Sequence, residues 1–319
     1  MIKRMYIKKI LVSSVALFAF FLIYFIPNNK TDNFKVNQEI EYVSADVVTS
    51  SIYLMDVNNY LAKTDIVVSN DDIEAKAMEL ITALIQGESM EDKIPSGFKS
   101  VIPSNTKIIG IDYKDNVMKI NFSDDLLDTS ADMEEKIVEA IVYTLTSIDG
   151  VDKVIIMING KVLTKLPQSN ITLPGTLDRG LGINKEYDIT SNKNINQTTI
   201  YYVNKYNDIE YYVPVTKVNN DTRDKIEIII DELSSKSLYK SNLMSYLNSN
   251  TKVLSVNEDD EKLMVEFNDY IFNDIDTKDI LEEVIYTICL SIGDNYNVKE
   301  VVFTAKNEEI YKNVIKVLE

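Results

Sequence analysis

The sequence predicts an α+β protein, two tandem copies of one small domain behind an N-terminal transmembrane helix. Three observations carry this reading: an apolar run at residues 10–26, a self-similarity at a spacing of roughly 145 residues, and inside each repeat an alternation between period-2 and helical apolar patterning. Each copy reads as β-β-α-β-β-α-β, and the simplest packing lays both helices on one face of a mixed sheet. At 319 residues, 45% hydrophobic and 26% charged, with only 9 Gly and 6 Pro, the composition is globular with room for about two domains.

The first element is the apolar run, preceded by Lys3, Arg4, Lys8 and Lys9 and ended by Pro27. As a helix its 17 residues span roughly 26 Å, near the lower limit for a bilayer core. The basic flank predicts a cytoplasmic tail at 1–9, an anchor at 10–26 and everything beyond outside the cytoplasm. A cleaved signal peptide fits less well, because no small-x-small site follows closely; Val43, Ser44 and Ala45 lie far downstream. With no Cys after the run, a lipoprotein anchor is not expected. Residues 27–50 read as a stalk.

The repeats follow at 51–165 and 199–319, joined by a connecting loop and linker at 166–198. Ser51-Ile52-Tyr53-Leu54 matches Thr199-Ile200-Tyr201-Tyr202, and Ile66-Val67-Val68 matches Val213-Pro214-Val215. An amphipathic helix comes next: Ile73, Ala77, Leu80, Ile81 and Leu84 in one copy, Ile226, Ile229, Ile230 and Leu233 in the other. Asp71 with Glu74 has capping-box spacing at its start. Asn105-Thr106-Lys107-Ile108 pairs with Asn250-Thr251-Lys252-Val253. Two alternating strands follow, Met118, Ile120 and Phe122 against Leu263, Val265 and Phe267, the mark of a sheet with one buried face. The second helices align on Tyr143-Thr144 and Tyr286-Thr287, and the closing strands are 154–158 and 301–304.

The chemistry in the chain is sparse. It has no His and no Trp, and its lone thiol is Cys289. That removes Ser-His-Asp and Cys-His catalysis, an intramolecular disulfide and Cys-based zinc sites. Cys289 sits among Ile285, Ile288 and Ile292 and reads as a small buried hydrophobe. Asp124-Asp125 matches no calcium loop and reads as a turn or helix entry. The acidic run Glu258 to Glu261 reads as a solvated turn. Leu173-Pro174-Gly175-Thr176 is internal and has no hydrophobic tail behind it, and Gly180-x-Gly182 follows no strand, so neither is a sorting or phosphate motif. No metal or other cofactor is expected. Setting aside the five positive residues of the first 30, 33 less 5 leaves 28 basic against 50 acidic side chains, a net of −22. So acidic a body repels phosphate backbones, which excludes nucleic acid as the expected partner.

Asn121-Phe122-Ser123-Asp124-Asp125-Leu126 after an alternating strand, Ile102 to Lys107 (Ile-Pro-Ser-Asn-Thr-Lys), and Val151-x-x-Val154 leading to Asn159-Gly160-Lys161 resemble the GerM family of sporulation and spore germination proteins. The second copy keeps Phe267-Asn268-Asp269 and Val298-x-x-Val301 but lacks the terminal Asn-Gly. The resemblance implies domains similar to ring-building folds. It also implies a role outside the cytoplasm, in the space between mother cell and forespore, in assembling or localising a multiprotein envelope complex.

The expected function is therefore non-enzymatic, with the membrane and other envelope or sporulation-complex proteins as partners. The alternative is an envelope module that contacts peptidoglycan or a germinant. Tyr201, Tyr202, Tyr206, Tyr211 and Tyr212 crowd one stretch and form the expected partner surface, since tyrosine offers contact area and a hydroxyl. The competing reading of that stretch is a strand pair using tyrosine for half-burial.

Overall fold

The computed structural model describes residues 48–88, 90–235, 242–259 and 261–314. The run at 10–26 and the anchor expected there lie outside the described residues. No helix among the described residues is long and apolar enough to cross a membrane.

The first copy opens with an antiparallel hairpin, β1 (Thr49–Asp56) and β2 (Leu61–Val67). Helix α1 (Ile73–Leu84) buries Ala77, Leu80, Ile81 and Leu84. Its cap is Asp72, which accepts the Ala75 N–H at 3.0 Å, and not Asp71; the expected partner Glu74 instead accepts the Tyr113 N–H at 2.9 Å. A short β3 (Phe98–Lys99) adds to β1. Then come β4 (Ile108–Lys114) and β5 (Val117–Phe122), joined through Asp115 and Asn116 at φ 53° and 60°, the left-handed pair that a two-residue hairpin turn requires. Helix α2 (Ala131–Leu145) crosses over to β6 (Lys153–Ile158), parallel to β5, and β7 (Lys161–Val162) closes the copy.

The connecting segment contributes β8 (Glu186–Asp188). The second copy repeats the order with β9 (Asn196–Tyr206), β10 (Ile209–Asn219), α3 (Lys225–Ser234), β11 (Val253–Asp259), β12 (Lys262–Phe267), α4 (Glu282–Asn295), β13 (Glu300–Ala305) and β14 (Glu308–Val314).

The strands do not form one mixed sheet per copy. Each copy keeps a four-stranded sheet, β4-β5-β6-β7 or β11-β12-β13-β14, while the opening hairpins leave it and join each other. The shared sheet runs β3-β1-β2-β10, with β9 beyond β10 and β8 alongside β10 past the end of β2. One register pair, Tyr212 with Lys63, joins the copies. The reason lies in the second helix. From Ile137 to Leu145 every residue of α2 is buried, so a sheet on one side cannot cover it. The four-stranded sheet covers one face through Met118, Ile120 and Phe122, and the hairpin covers the other. The apolar clusters interlock, since Ala62 of the first copy packs in the second core and Phe98 packs against both.

Two alignments shift as well. Thr144 Oγ1 accepts the Tyr53 N–H at 3.0 Å, and Ser291 Oγ accepts the Tyr201 N–H at 2.9 Å. Thr144 is therefore level with Ser291, not Thr287, and the shared Tyr-Thr dipeptide is one turn out of step. Tyr53 lies opposite Lys63, but Tyr201 lies opposite Pro214. The second hairpin is thus three residues longer, so Ala62 and Thr64 are the counterparts of Val213 and Val215.

Candidate functional site between the two repeats

The copies meet at a polar hub whose tyrosines are buried and whose Arg179 is partly open to a cleft. Tyr53 of β1 and Tyr201 of β9, equivalent residues, touch hydroxyl to hydroxyl at 2.7 Å. Tyr201 donates to Asp294 Oδ2 of α4 at 2.9 Å, so its own oxygen receives the Tyr53 proton. The other Asp294 oxygen accepts from the Arg179 guanidinium of the connecting segment. Arg179 also donates to Thr146 Oγ1 at 3.1 Å, to Ser147 Oγ at 2.9 Å and to the Tyr143 carbonyl at 3.4 Å, at the C-terminal turn of α2 where a cation is favoured. Its charge lies 5.1 Å from the Tyr143 ring centre and 5.7 Å from that of Tyr53.

The three tyrosines and the guanidinium are fixed in one protonation state. Burial pushes the Tyr53, Tyr143 and Tyr201 hydroxyls above the ordinary tyrosine value, well above it for the last two. Burial opposes the Arg179 charge, but Asp294 and the tyrosines outweigh it and hold the guanidinium well above its usual value. None of these tyrosines, nor the guanidinium, is poised to trade a proton near neutral pH. Over it opens a cleft of about 530 Å³ between the end of α2 and the end of α4, floored by Ser51 and Tyr53 and flanked by Lys153, Asp178 and Asn297.

The connecting segment is strapped down on both sides of Arg179. Buried Glu134 accepts the Gln168 and Ser169 N–H groups at 2.9 and 2.7 Å. Lys185 reaches Glu135 at 2.7 Å and Glu139 at 2.8 Å. Burial raises the Glu139 carboxyl above its ordinary value although Lys185 opposes the shift. Asn184 wedges between the copies: its Oδ1 accepts the Leu61 N–H at 3.0 Å, and its Nδ2 donates to the carbonyls of Leu61 at 2.7 Å and Pro214 at 2.8 Å.

The five tyrosines do not make one exposed surface. Tyr201, Tyr202 and Tyr211 are buried. Tyr201 belongs to the hub, Tyr202 donates to Glu232 at 3.2 Å, and Tyr211 donates to buried Asp56 at 2.9 Å. Asp56 accepts from the Asn204 amide as well, at 3.0 Å, a second polar link between the copies. Tyr201 and Tyr202, consecutive on β9, point to opposite faces of the sheet, and both faces are covered. Tyr206 is half-buried against Gly97, at φ 95°, where an added Cβ would come within 2.5 Å of the ring. Tyr212 is half-buried and stacks on Tyr286.

Cys289 is buried and its thiol is pushed up to about 12 by burial alone, so it is no nucleophile. Asp125 accepts from Ser123 Oγ at 2.7 Å at the turn Asp124–Leu127. Asp178 caps the Gly180 N–H at 2.9 Å. Among the described residues no three His, Cys, Asp or Glu side chains gather as metal ligands. Arg179 and Asp294 gave no sequence signal: they stand 115 positions apart, and a lone Arg before two glycines reads as turn chemistry.

The family model described as "Germane: Sporulation and spore germination" matches residues 23–164 and 199–311. The chain is 30% identical over 282 residues to the spore germination protein GerM of Bacillus subtilis (strain 168), covering 86% of this chain and 74% of that protein. The solved tandem GerMN domains of the sporulation protein GerM from Bacillus subtilis share the fold with a TM-score of 0.74 at 30% identity, over 82% of this chain and 92% of that one. With both repeats matched and the tandem arrangement shared, this chain belongs to the GerM family of sporulation and spore germination proteins.

Proposed function

We propose that this chain is a non-enzymatic scaffold, anchored in the membrane by residues 10–26, that supports assembly or localisation of an envelope complex during sporulation or spore germination. Its domains lie outside the cytoplasm, in the space between mother cell and forespore. The observation that carries this reading is the hub. Arg179, Asp294, Tyr53 and Tyr201 hold two copies in one arrangement through buried hydrogen bonds and an ion pair, which serves fixed presentation of surfaces and not turnover. The basic-then-apolar N-terminal stretch supports the tether. The test is deletion of the gene followed by co-purification from sporulating wild-type cells. Blocked or delayed spore formation, with envelope proteins recovered alongside the chain, is the expected result. Normal sporulation with neighbouring envelope proteins correctly placed rejects the proposal.

One observation favours a second reading, an envelope module that binds peptidoglycan or a germinant: the cleft of about 530 Å³ is of ligand size. Retention on purified wall material, lost on substitution of Lys153 at the cleft or of half-buried Tyr206 or Tyr212, would favour it.

A further inference from the structure

The second helices of the two repeats have an equivalent turn, and the two turns are furnished differently. With Thr144 level with Ser291, counting back five and nine residues sets Glu139 and Glu135 of α2 level with Tyr286 and Glu282 of α4. On the first repeat this turn holds a cation, Lys185, between Glu135 and Glu139. On the second repeat it carries Tyr286, stacked on Tyr212 with ring centres 5.5 Å apart and 15° between planes, beside Glu282 and Glu283. Tyr246, 41% exposed, donates to Glu210 at 2.6 Å next to the stack. Burial raises the Tyr212 hydroxyl, and Glu283, Glu282 and Glu210 add to the shift. The bond to Glu210 pushes Tyr246 up to about 12, with Glu283 contributing. The six side chains therefore share one surface. Among the described residues none of Glu210, Glu282 and Glu283 takes part in an ion pair; Lys63, the register partner of Tyr212, has an interaction of its own.

We infer that this face of the second repeat docks a Lys or Arg side chain carried on a segment of a protein partner, in the place that Lys185 takes on the first. Carboxylates around an aromatic pair attract a cation at long range and hold it over the rings at short range. The helix position is duplicated, the first copy holds a cation there, and one of the two carboxylates that hold it, Glu135, recurs on the second copy as Glu282. The net charge of −17 favours approach of basic segments. The inference rests on the assembly reading, which supplies a protein partner.

The experiment titrates the full chain, in neutral detergent micelles, with an acetylated tri-arginine amide and with its uncharged tri-citrulline counterpart. The arginine peptide binds and the citrulline peptide does not. Replacing Glu282 and Glu283 together by Gln weakens binding roughly tenfold at fixed ionic strength, whereas Tyr286→Phe, which keeps the ring, stays within about twofold. Neutralising Glu258 and Asp259, exposed on β11 at the opposite edge of the sheet, stays within about twofold too, because that strand carries no aromatic ring. Absence of arginine-peptide binding overturns the inference. So does equal binding of citrulline, or an equal loss from the β11 charges, which would mark attraction to the acidic body as a whole. The Glu-to-Gln pair lies at the surface end of α4, so the test does not depend on a core variant folding. Failure here leaves the deletion phenotype untouched and so is distinguishable from failure of the assembly reading.

Discussion

At the scale of single residues, the weight falls on Asp294. Its side chain is 3% exposed and its oxygens are taken by Arg179 and Tyr201, so its charge is compensated only while Arg179 stays. Arg179→Ala strands a buried carboxylate, and urea denaturation should show a loss of about 3 kcal/mol. Arg179→Met combined with Asp294→Leu should recover part of that loss, because removing both charges also removes the desolvation cost. Equal losses in the single and double variants would mean that the contact is packing and not charge compensation. The buried hydroxyls make a separate prediction. Tyr53, Tyr143, Tyr201 and Tyr202 all have raised values in the folded chain, with burial as the first cause. Unfolding at alkaline pH therefore releases protons, so stability is fully present below the unfolded tyrosine value of about 10 and declines as pH rises toward the folded values. The tyrosinate absorbance of these four rings should appear together with unfolding; their titration in a chain that remains folded would contradict the prediction.

At the scale of elements, Asn184 decides how the two hairpins meet. It stands at φ 47°, a left-handed conformation that Asn tolerates, and one amide serves three backbone groups on β2 and β10. Asn184→Ala leaves those groups without their partner and should cost about 2 kcal/mol by chemical denaturation. Asn184→Asp should cost more, since it turns an acceptor toward the carbonyls of Leu61 and Pro214; the reverse order would show that the wedge acts by shape alone. Elements of this kind mark the limit of the sequence pattern. The alternation of Met118, Ile120 and Phe122, and its copy in Leu263, Val265 and Phe267, is local, and it announced the central strands but not the four-stranded sheets they belong to. The bulges on the edge strands, between Ile108 and Gly110 and between Val253 and Ser255, carry no such pattern. They turn Ile109 and Leu254 to solvent at the same place in each copy, a device that discourages edge-to-edge pairing. Helix register was hidden for a different reason. An identical Tyr-Thr pair outweighed the true equivalence of Thr144 and Ser291, which only a backbone bond reveals. The tyrosine run misled because strand propensity and surface exposure select the same residue, and only the cover on both faces of this hairpin, which buries Tyr201, Tyr202 and Tyr211 alike, separates them.

At the scale of the whole molecule, the question is whether two copies make two folding units or one. Local sequence similarity argues for two. The contacts argue for one: a shared sheet, Ala62 packed in the core of the other copy, and polar links at Tyr53 with Tyr201, Asp56 with Asn204, and Arg179 with Asp294. Each link joins the first copy or the connecting segment to the second, so opening one copy strips partners from buried groups in the other, a cost of about 1–3 kcal/mol per group. The chain should therefore unfold in a single transition, and native-state hydrogen exchange should give the central amides of β5 and β12 the same opening free energy and denaturant slope. Cys289 offers an independent reading from the second core. Buried, with its thiol held near 12, it should be modified only through that same global opening, at a rate that follows the β5 amides of the other copy. Arg179→Ala should separate the two readings by loosening the hub while leaving each four-stranded sheet intact. If β5 and β12 already open with different free energies in the unaltered chain, the copies are independent bodies, and the fixed presentation of surfaces on which the scaffold proposal depends would have no physical basis.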